Sequence, residues 1–257
     1  MEKGFCNIAM IPVRREPSHK SELVTQLLFG EPYHVDLQQG EWLLIRGGFD
    51  DYPGWMDAGQ HEPVSEEGFN SLIKSEWVVS QHHSIIKDTM TGLDFEVYPG
   101  STIPEANFKI GNRVYSFEGK ALQKSEVLHP REIILRMAGS YINSPYLWGG
   151  RTPCGIDCSG LVQVLFKIAG INLPRDAFMQ AKLGEDIHFI SDAVPGDLLF
   201  FDNNEGEIVH TGILYKPDLI LHASGRVRID KADHHGIFSL TTGKYTHKLR
   251  TIKKILS

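Results

Sequence analysis

Cysteine is scarce. The chain of 257 residues has three, Cys6, Cys154 and Cys158, and an odd, low count excludes a disulfide framework. Cys154 and Cys158 stand four apart rather than in a Cys-x-x-Cys pair, and the 12 histidines are scattered, so spacing assembles no zinc ligand set. Long apolar runs are missing too. None approaches the roughly 20 residues that a helix needs to cross a bilayer, so no membrane span is expected. There is no cluster of one sign of charge. Lys and Arg number 26 against 32 Asp and Glu, for a net charge of −6, which lacks the basic footprint of a nucleic-acid binder. The opening "MEKGFCNIAMIPVRREPS" has no sustained apolar stretch before Pro12, Arg14 and Arg15, and so makes a poor secretory leader. The expected compartment is the cytoplasm, or the periplasm or exterior if a leader has been removed.

What is present is ordinary for a globular protein: 41% hydrophobic and 23% charged residues, in a chain long enough for a large core and for one to three domains. Residues 23–57, "LVTQLLFGEPYHVDLQQGEWLLIRGGFDDYPGWMD", alternate in short β-type runs broken by Gly, Pro and Asp turns, the pattern of a small antiparallel barrel. Residues 61–76 read as a polar connector with one short helix. "WVVSQHHSIIKD", "LDFEVYPGSTIP" and "FKIGNRVYSFEG" then supply a second β module. The expected domains are 1–60, 61–124 and 125–257.

The texture changes after residue 124. In "HPREIILRMAGSYINS" (129–144), Pro130 is placed as a first helical residue, and Ile134, Met137, Ala138 and Tyr141 recur at helical spacing. A second helix spans 158–169 and is closed by Gly170. "GDLLFFD" (196–202), "IVHTGILY" (208–215) and "LILHASG" (219–225) read as neighbouring antiparallel strands, and "THKLRTIKKIL" as a further one. Helices followed by strands give an α+β domain.

In "SPYLWGGRTPCGIDCSGLVQVLFKIAG" (144–170), a Gly- and Pro-rich loop runs into Cys158 at the start of an apolar helix. A thiol attacks as thiolate, and a free cysteine titrates near about 8.5, so the free N–H groups and dipole of a helix start are expected to lower that value. Gly155 and Gly160 leave room for a substrate backbone. His210 and His222 lie on neighbouring strands, where two side chains share a sheet face. A thiol, an imidazole and a residue orienting it form a nucleophile–base–orienter set.

As a set and in this order, "SPYLWGG…GIDCSGLVQ", "GDLLFF", "VHTGILY" and "LHASG" resemble the NlpC/P60 cell-wall peptidases over about 129–257. The resemblance implies a papain-like domain with Cys158 as nucleophile, His210 as general base and His222 as its orienting residue. It places the Tyr146 hydroxyl near the sulfur, with Asp157 and Ser159 on the substrate's N-terminal side. Thr211 stands where many members have valine. The two β modules resemble the bacterial SH3-like repeats of the γ-D-glutamyl-L-diamino acid endopeptidases. These cut murein peptides between γ-D-Glu and the diamino acid and require a free N-terminal L-Ala. In that subgroup the first barrel walls the site, which makes Glu31 and Tyr52 candidates for the wall. The expected partner is a murein peptide, with no metal or organic cofactor. Amidase, deamidase or acyltransferase chemistry on the same scaffold, and a non-catalytic murein-binding role, are the alternatives. Arg175 and Asp176 are lesser candidates for touching a charged substrate. Trp148 is expected to pack beneath the Gly149–Gly150 loop.

Overall fold

The alternation in the first half becomes a six-stranded antiparallel barrel in a computed structural model that describes residues 2–256. Its strands are β1 (Glu2–Phe5), β2 (Met10–Arg14), β3 (Leu23–Leu28), β4 (Pro32–Gln39), β5 (Trp42–Gly47) and β6 (Pro53–Asp57), in the order β1-β4-β5-β6-β2-β3. The period of two is plain in β5, where Leu43 and Ile45 turn inward onto Ile11, Val13, Tyr33 and Met56. Cys6 lies in the same core, where burial drives its thiol far above the ordinary range, so it is a packing residue.

The connector forms α1 (Glu66–Ile73), capped by Ser65 Oγ accepting from the Gly68 N–H and carrying Glu66 and Glu67 in its first turn. Beyond it, β7 (Trp77–Val79), β10 (Thr102–Ile103) and β13 (Ala121–Gln123) form one small sheet, ordered β10-β7-β13. A second, ordered β11-β12-β8-β9, comprises β8 (Ser84–Asp88), β9 (Leu93–Val97), β11 (Asn107–Ile110) and β12 (Arg113–Glu118). The two sheets enclose a core that also takes in Phe5 and Phe29 from the first module. The Phe29 ring meets Tyr115 edge-on at 5.6 Å, and a ring buried this way contributes about 1.5–3 kcal/mol. Gly30 makes the approach possible: its φ is +77°, and a Cβ there would lie 1.8 Å from the Thr102 carbonyl oxygen. Residues up to Val127 therefore form one compact unit, to which Gly149–Thr152, including β14 (Arg151–Thr152), and Gly170–Asn172 also belong.

The remaining residues from Leu128 onward form the second unit. It contains α2 (Pro130–Ser140), β15 (Gly155–Ile156), α3 (Cys158–Ile168) and α4 (Ala177–Gln180). Its strands are β16 (Glu185–Ile187), β17 (Leu198–Asp202), β18 (Ile208–Lys216), β19 (Leu219–Ser224), β20 (Arg226–Asp233), β21 (Gly236–Ser239) and β22 (Lys244–Lys254). Every residue of α3 is buried, and the helix packs on α2, β18 and β19. The strands read from sequence are all present, and β20 and β21 join them. Because β22 pairs with both β17 and β21, six strands close on themselves around Leu199, Phe201, Leu214, Ile220, Ala232 and Ile237. That closure brings together side chains that are distant in sequence.

Candidate active site

Cys158 is the first residue of α3. Asp157 caps the helix, its Oδ1 accepting from the Gly160 N–H at 2.7 Å. The sulfur is nearly enclosed, at 7% residue exposure. The expectation that the helix start lowers its pKa is corrected by two features. Burial and the negative charge of Asp157 push the thiol up to about 12, outweighing the hydrogen bonds that the Thr211 and Ser159 backbones offer the sulfur and the charge of Arg175. The capping carboxylate occupies one of the free N–H groups on which that expectation relied, and it adds a like charge beside the sulfur. Cys158 therefore rests as a neutral thiol.

His210 holds the complementary state. Burial, with His247 and His222 nearby, keeps its imidazole well below 6.5 and therefore neutral. Its Nε2 lies 2.9 Å from His222 Nδ1, and His222 Nε2 lies 3.1 Å from Asp230 Oδ2. The acceptor at the end of this row sets every tautomer. A carboxylate only accepts, so His222 Nε2 donates to Asp230. With a single ring proton, on Nε2, His222 accepts at Nδ1 and His210 Nε2–H donates to it. In that arrangement the His210 lone pair lies on Nδ1. Gly212 makes room for this row, since it pairs across the strands with His222, and a Cβ there would sit 2.9 Å from the His222 Cβ.

Asp230 is itself held on its other side by the Arg228 guanidinium and the Leu240 N–H. Burial opposes its ionisation, but the hydrogen bonds from His222, Leu240 and Arg228 prevail and hold the carboxyl at about 2. A folded-state value below the unfolded one, near about 3.9, stabilises the protein above about pH 4, and that contribution is lost as pH falls toward 2. In thermal unfolding at about pH 6 and pH 3, wild type is expected to lose more Tm on acidification than Asp230→Asn. Equal losses would show that the carboxylate is not held this way.

The other expected site residues divide between the two units. Burial, foremost, and electrostatic coupling to Cys158 and Asp157 raise the Tyr146 hydroxyl above its ordinary value, which places it in their neighbourhood. Arg175 forms a buried bidentate pair with Asp157, at 3.0 and 2.5 Å, and donates to Ser159 Oγ at 2.9 Å. In the first unit, Glu31 is 1% exposed, and its two oxygens accept from Arg151 at 2.7 and 2.9 Å. It is therefore an internal ion-paired group and not an open turn carboxylate. Tyr52 packs against the core of the first barrel. Trp148 is 57% exposed, so its expected burial beneath the loop is not what the structure shows. Among the described residues, no group of three or more His, Cys, Asp or Glu is arranged to hold a metal ion.

Residues 143–248 match the NlpC/P60 family, and residues 13–60 match the bacterial dipeptidyl-peptidase Sh3 domain. The gamma-D-glutamyl-L-lysine dipeptidyl-peptidase of Bacillus subtilis is 32% identical over 219 residues, covering 77% of this chain and 71% of the relative. The chain belongs to the NlpC/P60 family. Dipeptidyl-peptidase 6 of Lysinibacillus sphaericus is 27% identical over 81% of this chain and 83% of its own. The fold is shared with a crystallised NlpC/P60 family protein from Bacillus cereus, with a TM-score of 0.85 at 18% identity over 99% of this chain and 100% of that one. This NlpC/P60 protein is thus a member of a peptidase family with an N-terminal SH3-like domain.

Sequence reasoning missed Asp230 and His247. The His247 ring stacks on that of His210, with centroids 4.2 Å apart and planes 22° apart. Asp230 had left one signal: a carboxylate at the centre of "RVRIDKAD", on a strand that follows the two histidine strands.

Proposed function

We propose that the protein is a cysteine endopeptidase that hydrolyses the γ-D-glutamyl–diamino acid bond of murein peptides with a free N-terminal L-Ala. The observation that carries the reading is the buried row Asp230–His222–His210, in the same unit as the helix-start thiol of Cys158. The Bacillus subtilis relative, a gamma-D-glutamyl-L-lysine dipeptidyl-peptidase, supplies the substrate class.

Cys158 attacks the γ-carbonyl carbon as its proton passes to His210 Nδ1. The imidazolium, held by His222 and Asp230, then protonates the departing amine, and the C–N bond breaks to leave a thioester. Water adds to the thioester with His210 again as base, releasing the acid and restoring the thiol. Because the resting thiol and imidazole are both neutral, the proton moves during attack rather than before it. Tyr146, Asp157 and Ser159 contact the dipeptide on the acyl side. Glu31 acts through Arg151, since both its oxygens are already engaged. The second β module is a second SH3-like barrel, a reading supported by its two small sheets around one core.

The free-amine requirement is tested with one L-Ala-γ-D-Glu-diamino acid peptide and its N-acetylated form. Acetylation is expected to lower kcat/KM about 30-fold or more, the scale of losing one desolvated charge pair. Comparable values for both would leave a wall hydrolase without end recognition. Hydrolysis of neither would point to other acyl chemistry on this scaffold.

A further inference from the structure

His247 borders both the histidine row and a cleft. One face of its ring stacks on His210, and the residue also lines a cleft of about 700 Å³ in the second unit, together with Asp202, Val209, Tyr245 and Lys248. Within that cleft Asp202 is conspicuous. Its side chain is 1% exposed, and its Oδ1 is buried with no hydrogen-bond partner. Lys248 Nζ stands 4.0 Å from Oδ1, and Arg250 Nε stands 3.8 Å from Oδ2, both outside hydrogen-bond reach. A buried carboxylate oxygen without a donor is costly, and such groups are rare unless something supplies the donor.

The cleft offers other features of a binding site. Val209 and Tyr245 are half exposed and present apolar surface, and the Tyr245 hydroxyl is already fixed by donating to Asp233 Oδ2 at 2.5 Å. Lys248 is 75% exposed, so it competes weakly for the carboxylate. Apolar flanks leading to an anion suit a methylene chain that ends in a cation. The location follows from the chemistry: His210 must hand its proton to the departing amine, so the departing residue lies against that imidazole, and His247 connects the imidazole to the cleft.

We propose that this cleft receives the side chain of the departing diamino acid, with its terminal ammonium on Asp202. The inference rests on the endopeptidase reading above and adds a subsite to it.

The test uses three L-Ala-γ-D-Glu-X peptides in which X is lysine, norleucine or Nε-acetyl-lysine. Norleucine keeps the chain and lacks the amine, while acetylation keeps the nitrogen and removes its charge. In wild type, kcat/KM for lysine is expected to exceed that for each of the others about tenfold or more, as for a site built to pair with a substrate group. Asp202→Asn is expected to bring the lysine/norleucine ratio within about twofold, and Lys248→Ala to keep or raise it. Equal cleavage of the lysine and norleucine peptides by wild type overturns the subsite while leaving the peptidase reading intact, as does an undiminished ratio in Asp202→Asn. Cleavage of none of the three overturns both. The wild-type comparison decides the matter even if Asp202→Asn does not fold.

Discussion

Cys158→Ala is expected to lower turnover of an L-Ala-γ-D-Glu-diamino acid peptide about 10⁴-fold or more while the protein stays folded, because members of such a nucleophile–base unit fail together. The two effects separate cleanly here. The substitution removes a single sulfur atom from the first turn of a wholly buried helix, and the Asp157 cap and its pair with Arg175 remain. Neither other thiol can substitute: Cys6 is enclosed in the first barrel's core, and Cys154 is exposed, with no place in the histidine row. The check is a digest read by mass alongside a circular-dichroism melt. Wild-type turnover in a folded Cys158→Ala protein would make the thiol a bystander.

The second large effect separates the histidines. His210→Ala is expected to lower kcat about 10³- to 10⁴-fold, since it removes the proton carrier from both half-reactions. His222→Ala removes only the tie that fixes the tautomer, and is expected to cost about 10- to 100-fold, on the scale of other orienting partners. The pH profile gives an independent check. A base must be neutral to act, and burial holds His210 well below 6.5, so wild-type kcat/KM is expected to hold its value as pH falls through 6.5 and to decline only at lower pH. A reversed order of the two variants, or an acid limb centred at 6.5, would show that the roles are misassigned.

The candidate trio of Cys158, His210 and His222 was legible because its signals are local. A loop, a cysteine and an apolar run are contiguous, and each histidine interrupts a strand whose other residues pack inward. Asp230 arrives on β20, the partner of β19, and His247 on β22, which closes the sheet against β17 and β21, and pairings between strands leave no mark on any one segment. The ionisation of Cys158 was misread for a related reason. The helix start is visible in sequence, but the enclosure of the sulfur and the charge balance among Asp157, Arg175 and the thiol are three-dimensional quantities. Glu31 looked like a turn residue in "FGEP", while its partner Arg151 lies 120 positions away.

Arg151 also bears on how the chain can be divided. Its guanidinium is 2% exposed and donates from its two terminal nitrogens to Glu31 and the Gln26 carbonyl, and it sits in a short segment, Gly149–Thr152, that folds with the first unit although the residues on both sides of it belong to the second. Gly170–Asn172 does the same a few residues later. A chain begun at Leu128 would carry Arg151 but neither Glu31 nor Gln26, and so would hold a guanidinium whose partners had been cut away, next in sequence to the loop that leads into Cys158. The peptidase half and the β half are interleaved rather than threaded like beads, so gene-level shuffling cannot exchange one for another at a single joint. An exchange of the β half therefore also involves Gly149–Thr152, a stretch flanked in sequence by the second unit.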